Sequence, residues 1–193
     1  MNVAAILLAA GSATRFGSDK LLHPLPHGVP IAIQAARQLR EVFGDGVVAV
    51  IRPAAQELAG LLRAEACELV VCENAAEGMG ASLACAVRAA GGADAFVIAL
   101  ADMPFIRASS IAAVRDALAV GAPLAAPFFR ARRGHPVGIA GRFRAELAGL
   151  RGDEGAKKLL AGHAQELVKL PVGDPGVLRD IDAPGDLAPP IVV

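Results

Sequence analysis

The chain has 193 residues, of which 54% are hydrophobic and 20% are charged, and its formal net charge at pH 7 is zero. This composition is typical of a globular protein with a sizeable core and excludes a disordered chain. A neutral chain lacks the positive field that attracts nucleic acid or acidic membranes, and it contains no Trp or Tyr to stack on bases.

The chain begins with an apolar run, Val3–Ala10, that is either a secretion signal or a buried strand. Its length suits a signal core, and the AGSA at its end resembles a cleavage site. However, no Lys or Arg precedes the run, as a secretion signal requires. We therefore interpret Val3–Leu8 as a buried strand.

Further along the chain, segments with strand and helix patterns alternate. Short β-branched or wholly apolar runs predict strands, and apolar residues at helical spacing predict helices. The predicted strands are Val3–Leu8, Gly46–Ile51, Glu68–Val71, Ala95–Leu100, Leu124–Phe128, Pro136–Ala140, Leu167–Leu170 and Leu178–Asp180. The predicted helices are Pro30–Phe43, Ala54–Glu65, Ala81–Ala90, Ser109–Val120, Phe143–Leu150 and Glu154–Ala161.

Strands that are apolar on both faces and alternate with helices are typical of a mostly parallel sheet covered on both sides. We predict an α/β fold with three α/β/α layers, as a single domain over residues 1–193. Ligands of such sheets bind at the carboxyl ends of the strands. The residues after Leu8, Val71 and Leu100 are therefore the first places to look for chemistry.

Cysteine usage bears on the compartment in which the protein works. The three cysteines, Cys67, Cys72 and Cys85, form no CxxC pair. We expect buried free thiols of a cytoplasmic protein. No apolar stretch approaches the ~20 residues needed to span a bilayer, so we expect no membrane contact.

The first candidate site is LAAGSATRFGSDK, Leu8–Lys20. Small residues after a buried strand let phosphates approach consecutive backbone N–H groups. Arg15 adds a planar donor fork, and Lys20 adds a mobile positive charge. The segment is neither GxxxxGK[ST] nor GxGxxG, so it supports neither a Walker loop nor a dinucleotide fold. On these residues alone, a triphosphate site and an ordinary solvated loop both stay open.

The second candidate is Asp102, which follows the strand Ala95–Leu100 and is expected at the same sheet edge as Gly11. A carboxylate that faces phosphates needs a divalent cation between them, and Mg²⁺ binds through one or two carboxylates plus phosphates. The alternative is a turn-forming aspartate. Asp180 and Asp182 alternate on an extended segment, which is either a surface strand or a second metal contact.

Two glycine-rich segments are weaker candidates. Gly78 and Gly80 precede a predicted helix that carries Ser82, and its N-terminus could receive polar ligand groups. A simple glycine turn is the alternative. Asp153, in RGDEG, is predicted to be the N-cap of the helix that follows.

A basic loop between two predicted strands is a further candidate. Arg130–Arg133 precede Gly134, His135 and Pro136. Such a loop either closes over an anionic substrate or is a solvated hairpin.

Together these motifs resemble the nucleotidyltransferases that activate the molybdenum cofactor, and most closely the molybdenum cofactor cytidylyltransferases. A single match of this kind is weak, whereas six in the same order over nearly the whole chain are specific. The matching segments are Leu8–Gly11 with Arg15–Gly17 and Lys20, Gly78–Met79 with Ser82–Leu83, Asp102–Pro104, Gly134–Val137, Gly152–Gly155 and Asp180–Asp182.

The resemblance implies a Rossmann-like nucleotidyltransferase fold and a Mg²⁺-dependent enzyme. The implied reaction transfers CMP from CTP to the terminal phosphate of molybdopterin, which forms molybdopterin cytosine dinucleotide and releases pyrophosphate. In the family, Ala at position 10 and an Arg-Gly-His-Pro loop, here Arg133–Pro136, go with cytidine. A second Gly in place of Ala10 goes with guanine.

The resemblance also implies roles for particular residues. The implied catalytic residues are Arg15, Lys20 and Asp102, and the implied Mg²⁺ ligands are Asp102 and Asp182. The residues implied to bind the nucleotide or the pterin are Leu8, Ala9, Ala10, Gly11, Ser12, Ala13, Gly78, Ser82, Gly134, His135 and Pro136.

Two departures from the family pattern leave alternatives open. Ala13 stands where Ser is usual, and Val29 stands where a basic residue often precedes the helix. One alternative is a relative that couples CTP or GTP to another phosphorylated acceptor. The other is a non-catalytic nucleotide-binding protein that delivers the cofactor, which Lys20 and Asp102 argue against. We expect a monomer that contacts a molybdoenzyme or its chaperone transiently.

Overall fold

The computed structural model of the protein describes residues 1–11 and 19–188. Within these ranges, no helix has both the length and the apolar character needed to cross a membrane. The strands are β1 Val3–Leu8, β2 Val47–Ile51, β3 Glu68–Val71, β4 Ala95–Leu100, β5 Leu124–Phe129, β6 Arg132–Arg133, β7 Val137–Ala140 and β8 Leu167–Pro171. The α-helices are α1 Ile31–Phe43, α2 Gln56–Ala64, α3 Met79–Ala89, α4 Ala108–Ala119, α5 Arg144–Ala148 and α6 Lys157–Gly162.

These strands form one sheet in the order β3-β2-β1-β4-β7-β5-β6, and β8 pairs with β5. β1 pairs in parallel with both β2 and β4, and β2 pairs in parallel with β3. β7 is antiparallel to both β4 and β5. The predicted mostly parallel sheet is confirmed, with β7 and the short β6 as antiparallel members.

Side chains alternate between the two faces of the sheet, and each face has its own core. Leu7 packs in one cluster with Leu39 of α1 and with residues of α2 and α4. Ile6 packs in the other cluster with Leu83 of α3 and Leu147 of α5. This alternation follows from the period of two in a strand, and the predicted three α/β/α layers are confirmed.

The predicted strand Leu178–Asp180 is wrong. Pro175–Leu178 forms a 3-10 helix instead, and the Arg179 N–H donates back to the Gly176 carbonyl. The Asp174 carboxylate accepts a hydrogen bond from the Gly176 N–H at 2.9 Å and thereby caps this helix. An Asp-Pro pair favours such a turn, because proline lacks an N–H to give to a neighbouring strand.

Two predicted helices are shorter than expected. The helix predicted over Glu154–Ala161 begins at Lys157, because Gly155 has a left-handed φ of 50°. The helix predicted over Phe143–Leu150 covers only Arg144–Ala148 as α-helix, after a 3-10 turn. Both lie beyond the parallel part of the sheet and do not build the site described below.

All three cysteines are free thiols, as the sequence predicts. Cys67 and Cys72 are buried, and Cys85 is partly exposed. Burial raises the pKa of the Cys67 thiol, which makes it a small apolar core residue at neutral pH.

Candidate active site

A cleft of about 710 Å³ opens at the carboxyl ends of the parallel strands. Clefts of this size suit a small-molecule substrate. Of the residues that the sequence singles out, those that line it are Leu8, Ala10, Gly11, Lys20, Gly78, Ser82 and Asp102. The rule that ligands bind at strand ends therefore located the cleft correctly.

The charged centre of the cleft is Lys20, a residue that is only 9% exposed. Its Nζ donates to Oδ2 of Asp102 at 2.9 Å and to Oδ1 of Asp182 at 3.4 Å. Burial acts to lower the pKa of Lys20, but the hydrogen bonds and charges of both aspartates outweigh it and raise the pKa above its ordinary value. Lys20 is therefore a fixed cation at neutral pH.

Two local features bring these three side chains together. The Asp19 carboxylate accepts a hydrogen bond from the Leu21 N–H at 3.2 Å and starts the 3-10 helix that carries Lys20. On the other side, the Ile181 N–H donates to the Asp102 carbonyl at 2.9 Å. This bond ties the C-terminal segment to the loop after β4, so that Asp182 rather than Asp180 contacts Lys20.

The pair Asp102 and Asp182 fits a divalent cation. Both carboxylates contact the same ammonium group, so they are close enough to share one cation. Within residues 1–11 and 19–188, no three His, Cys, Asp or Glu side chains form a closed metal site. Mg²⁺ commonly binds through one or two carboxylates and takes its remaining oxygens from phosphates and water.

The wall opposite Lys20 depends on a close approach between two backbone segments. Gly78 has φ +129° and ψ −176°, a region that is essentially restricted to glycine. A Cβ at Gly78 would collide with the Asp153 carboxylate and with the Gly152 backbone, and the Gly80 N–H donates to the Gly152 carbonyl at 2.7 Å. The prediction that Asp153 is an N-cap is wrong: Ala156 precedes α6, and Asp153 lines the cleft.

We expect Gly78→Ala to lower the free energy of unfolding by about 1–3 kcal/mol, the usual cost of overpacking a tight site. The matched control is Gly60→Ala in α2, where an added Cβ meets nothing within 4 Å. The control should gain roughly 0.5–1 kcal/mol, because alanine favours helix. Urea unfolding followed by circular dichroism measures both changes. A loss smaller than 0.5 kcal/mol in Gly78→Ala, on the scale of surface substitutions (about ±0.5 kcal/mol), would contradict the close packing.

Gly134, His135 and Pro136 lie outside the cleft lining. The His135 N–H donates to the Val177 carbonyl at 2.8 Å, and a Cβ at Gly134 would collide with the same carbonyl. Nδ1 of His135 is buried and has no hydrogen-bond partner among the residues that the structure describes. Burial, and then the charge of Arg133, lower the pKa of His135 to about 4, so the ring is neutral at pH 7.

The neutral His135 ring predicts a pH dependence of stability. Its folded-state pKa of about 4 lies below that of an unfolded histidine, ~6.5, so the unfolded chain takes up the proton first as the pH falls. The stabilisation that the neutral ring gives to the folded chain is complete above about pH 6.5 and is lost towards pH 4. By pH 5 this loss lowers the free energy of unfolding by about 2 kcal/mol. His135→Gln should flatten the fall in unfolding free energy between pH 7 and pH 5, measured in urea. An unchanged slope would show that the pKa of His135 is the same in the folded and the unfolded chain.

Besides Gly134, His135 and Pro136, four further predicted binding or catalytic residues are not among those that line the cleft. Ser12, Ala13 and Arg15 lie outside the described residues, so their roles stay predictions. Ala9 is buried in the core on the opposite face of the sheet from Ala10.

Two charged residues of the cleft, Arg52 and Glu73, were missed by the sequence analysis, and a third, Asp153, was named there only as an N-cap. Arg52 follows directly on β2, as Gly11 follows closely on β1. Applying the strand-end rule to the predicted strand Gly46–Ile51 would have found it.

Comparison with known proteins identifies the family. A family described as MobA-like NTP transferase domain matches residues 5–167. The purine catabolism protein PucB of Bacillus subtilis (strain 168) is 32% identical over 191 residues, which cover 93% of this chain and 91% of that protein. The crystal structure of Rv0371c from Mycobacterium tuberculosis H37Rv is similar with a TM-score of 0.84 at 25% identity, covering 96% of this chain and 94% of that one. A manganese complex of Rv0371c has a TM-score of 0.81 at 23% identity and covers 96% of each chain. The chain therefore belongs to the MobA-like NTP transferase family of nucleotidyltransferases.

Proposed function

We propose that the protein transfers CMP from CTP to the terminal phosphate of molybdopterin. The observation that carries this proposal is the pair Lys20 and Asp102 in a cleft lined by the small residues Ala10 and Gly11, with Asp182 in contact with the same ammonium group. A fixed cation beside two carboxylates suits a triphosphate and its leaving pyrophosphate when the carboxylates hold a divalent cation between themselves and the phosphates. Ala10, together with the Arg-Gly-His-Pro loop, favours cytidine over guanine through the family resemblance.

In the proposed reaction, a phosphate oxygen of molybdopterin attacks the α-phosphorus of CTP. The bond from that phosphorus to the β-phosphate oxygen breaks, and pyrophosphate leaves with the electron pair. No covalent intermediate on the protein is needed. The work of the protein is then alignment of the two substrates and neutralisation of charge, which can supply most of the acceleration at phosphorus.

The residues divide this work between them. Backbone N–H groups of Gly11 and of the two residues after it would bind the triphosphate, and Lys20 with Arg15 would neutralise the leaving pyrophosphate. Asp102 and Asp182 would hold Mg²⁺, which when bound neutralises phosphate charge. The manganese complex of Rv0371c supports the use of a divalent cation.

The remaining parts of the proposal concern specificity and surroundings. Ala10 and Ser82 would lie beside the base and ribose, and the loop of residues 130–136 would face the pterin from outside the cleft. The relative PucB is named for purine catabolism. We further propose that residues 1–193 act as one unit, a cytoplasmic monomer that contacts a molybdoenzyme or its chaperone transiently.

The test is incubation of the protein with each NTP, Mg²⁺ and a panel of phosphorylated acceptors that includes molybdopterin. Pyrophosphate release measures turnover, and mass spectrometry identifies the product. We expect product only with CTP and molybdopterin. Turnover with GTP would show that the proposed nucleotide is wrong, and turnover with a sugar, polyol or lactate phosphate would show that the proposed acceptor is wrong. If calorimetry detects nucleotide binding but no pyrophosphate is released, the protein is not an enzyme but a nucleotide-binding protein that delivers the cofactor.

A further inference from the structure

Arg52 connects two segments that flank the predicted phosphate-binding turn. Its Nη1 donates to the Gly11 carbonyl at 3.2 Å, and its Nη2 donates to Oδ2 of Asp19 at 2.5 Å. Gly11 immediately precedes residues 12–18, and Asp19 immediately follows them. One guanidinium group therefore joins the residue before this segment to the residue after it. We call this set of three, Arg52 with Gly11 and Asp19, the Arg52 clasp.

Asp19 extends the connection to Lys20. While Oδ2 of Asp19 accepts from Arg52, its Oδ1 accepts from the Leu21 N–H at 3.2 Å and begins the 3-10 helix Lys20–Leu22. The Lys20 ammonium projects from this short helix to Asp102. Any displacement of Asp19 would therefore move the lysine that faces the substrate.

Burial and charge distinguish the clasp from an ordinary surface ion pair. The side chains of Arg52 and Asp19 are only 31% and 24% exposed, and Arg52 lines the cleft itself. Hydrogen bonds with charged partners are about twice as strong as neutral ones, whereas exposed pairs often contribute nothing measurable. The clasp also makes its two bonds through two different nitrogens, which the planar fork of arginine supplies and a single charged nitrogen does not.

We propose that Arg52 is a positioning residue for nucleotide binding, which fixes Gly11 and Asp19 relative to each other so that Gly11 and Lys20 face the triphosphate together. This proposal rests on the proposed nucleotide substrate. It differs from a role in which Arg52 simply attracts phosphate by its charge. In that role lysine would serve almost as well, whereas Arg52 binds Gly11 and Asp19 through two different nitrogens and lysine offers only one, on a side chain one atom shorter.

The experiment compares Arg52→Ala, Arg52→Lys, Asp19→Asn and the double variant Arg52→Ala/Asp19→Asn with the wild type. Asp19→Asn keeps an oxygen for the Leu21 N–H and removes the charge that Arg52 binds. Calorimetry measures CTP affinity, hydrogen exchange measures amide opening over residues 19–23, and circular dichroism measures melting. The matched control is Arg37→Ala, which breaks the Arg37–Glu65 ion pair, 2.6 Å long, outside the cleft.

We expect all three single variants to weaken CTP binding about tenfold, the effect of losing a charge-assisted hydrogen bond, and to speed amide exchange over residues 19–23. The double variant should bind CTP no more weakly than the weaker-binding of its two single variants, because both substitutions remove the same contact. Arg37→Ala should leave the CTP affinity and this exchange unchanged.

Three results would each overturn the clasp: wild-type CTP affinity in Arg52→Lys, wild-type exchange over residues 19–23 in Arg52→Ala, or additive losses in the double variant. If the wild type binds no nucleotide, the proposed function is wrong, and so is the proposed role of Arg52 in nucleotide binding. If the wild type binds CTP and the variants bind equally well, only the clasp fails.

Discussion

Asp102→Ala should reduce pyrophosphate release with CTP, molybdopterin and Mg²⁺ by about 10³-fold, at the upper end of what one charge-stabilising group contributes. The substitution removes a proposed metal ligand and also the nearer partner of Lys20, at 2.9 Å. The fold should survive, because Lys20 retains Asp182 at 3.4 Å and the cleft is open to water. We expect the melting temperature to fall by no more than about 2–4 °C, equivalent to 1 kcal/mol in a chain of this size.

The control for this prediction is Asp116→Ala, which removes a carboxylate that pairs with Arg115 on α4. Its turnover should equal that of the wild type. Wild-type turnover in Asp102→Ala would show that the assignment of Asp102 as a metal ligand is wrong. Loss of the circular dichroism signal would show instead that Asp102 is needed for folding.

Lys20→Ala should lower turnover by roughly 10²-fold or more, because one preorganised charge on the leaving pyrophosphate is lost. The change also leaves Asp102 and Asp182 without the ammonium group that neutralises them in the free protein. Mn²⁺ binding measured without nucleotide should therefore become tighter, which electron paramagnetic resonance can follow directly.

Lys158→Ala is the matched control, since among the described residues Lys158 pairs only with Glu154, on an exposed surface at 3.3 Å. It should change neither turnover nor Mn²⁺ affinity. A normal rate in Lys20→Ala would place the triphosphate elsewhere. Unchanged or weaker Mn²⁺ binding would show that Asp102 and Asp182 are not the metal ligands.

The inner strands of the parallel half, β1, β2 and β4, were predictable because they are largely buried on both faces, whereas the edge strand β3 is partly exposed. The predicted bounds of β1, β3 and β4 agree with the structure to the residue. Their apolar runs continue one or two residues beyond each strand and stop before Gly11, Glu73 and Asp102. The order of the strands and the reversed direction of β7 depend on pairing between residues distant in sequence, and a local pattern carries no such information.

The same distinction applies to the site. Gly11 and Asp102 could be predicted because both follow closely on buried strands. The contact between Lys20 and Asp182 could not be derived from spacing, because it depends on the path of the C-terminal segment, and that segment was wrongly predicted to contain a strand at Leu178–Asp180. Arg52 was missed although the strand-end rule applies to it, because the sequence analysis considered the residues after Leu8, Val71 and Leu100 and not those after Ile51.

The contribution of Asp182 has a consequence for how the protein is made. The family match ends at residue 167, yet Asp182 completes the set of charges around Lys20, which lies 162 residues earlier in the chain. Chains fold from the N-terminus as they leave the ribosome, so β1 to β4 can assemble while the last segment is still being translated. A nascent copy therefore carries its cationic lysine with one aspartate partner for part of its synthesis, and the charge set is complete only after residue 182 has emerged.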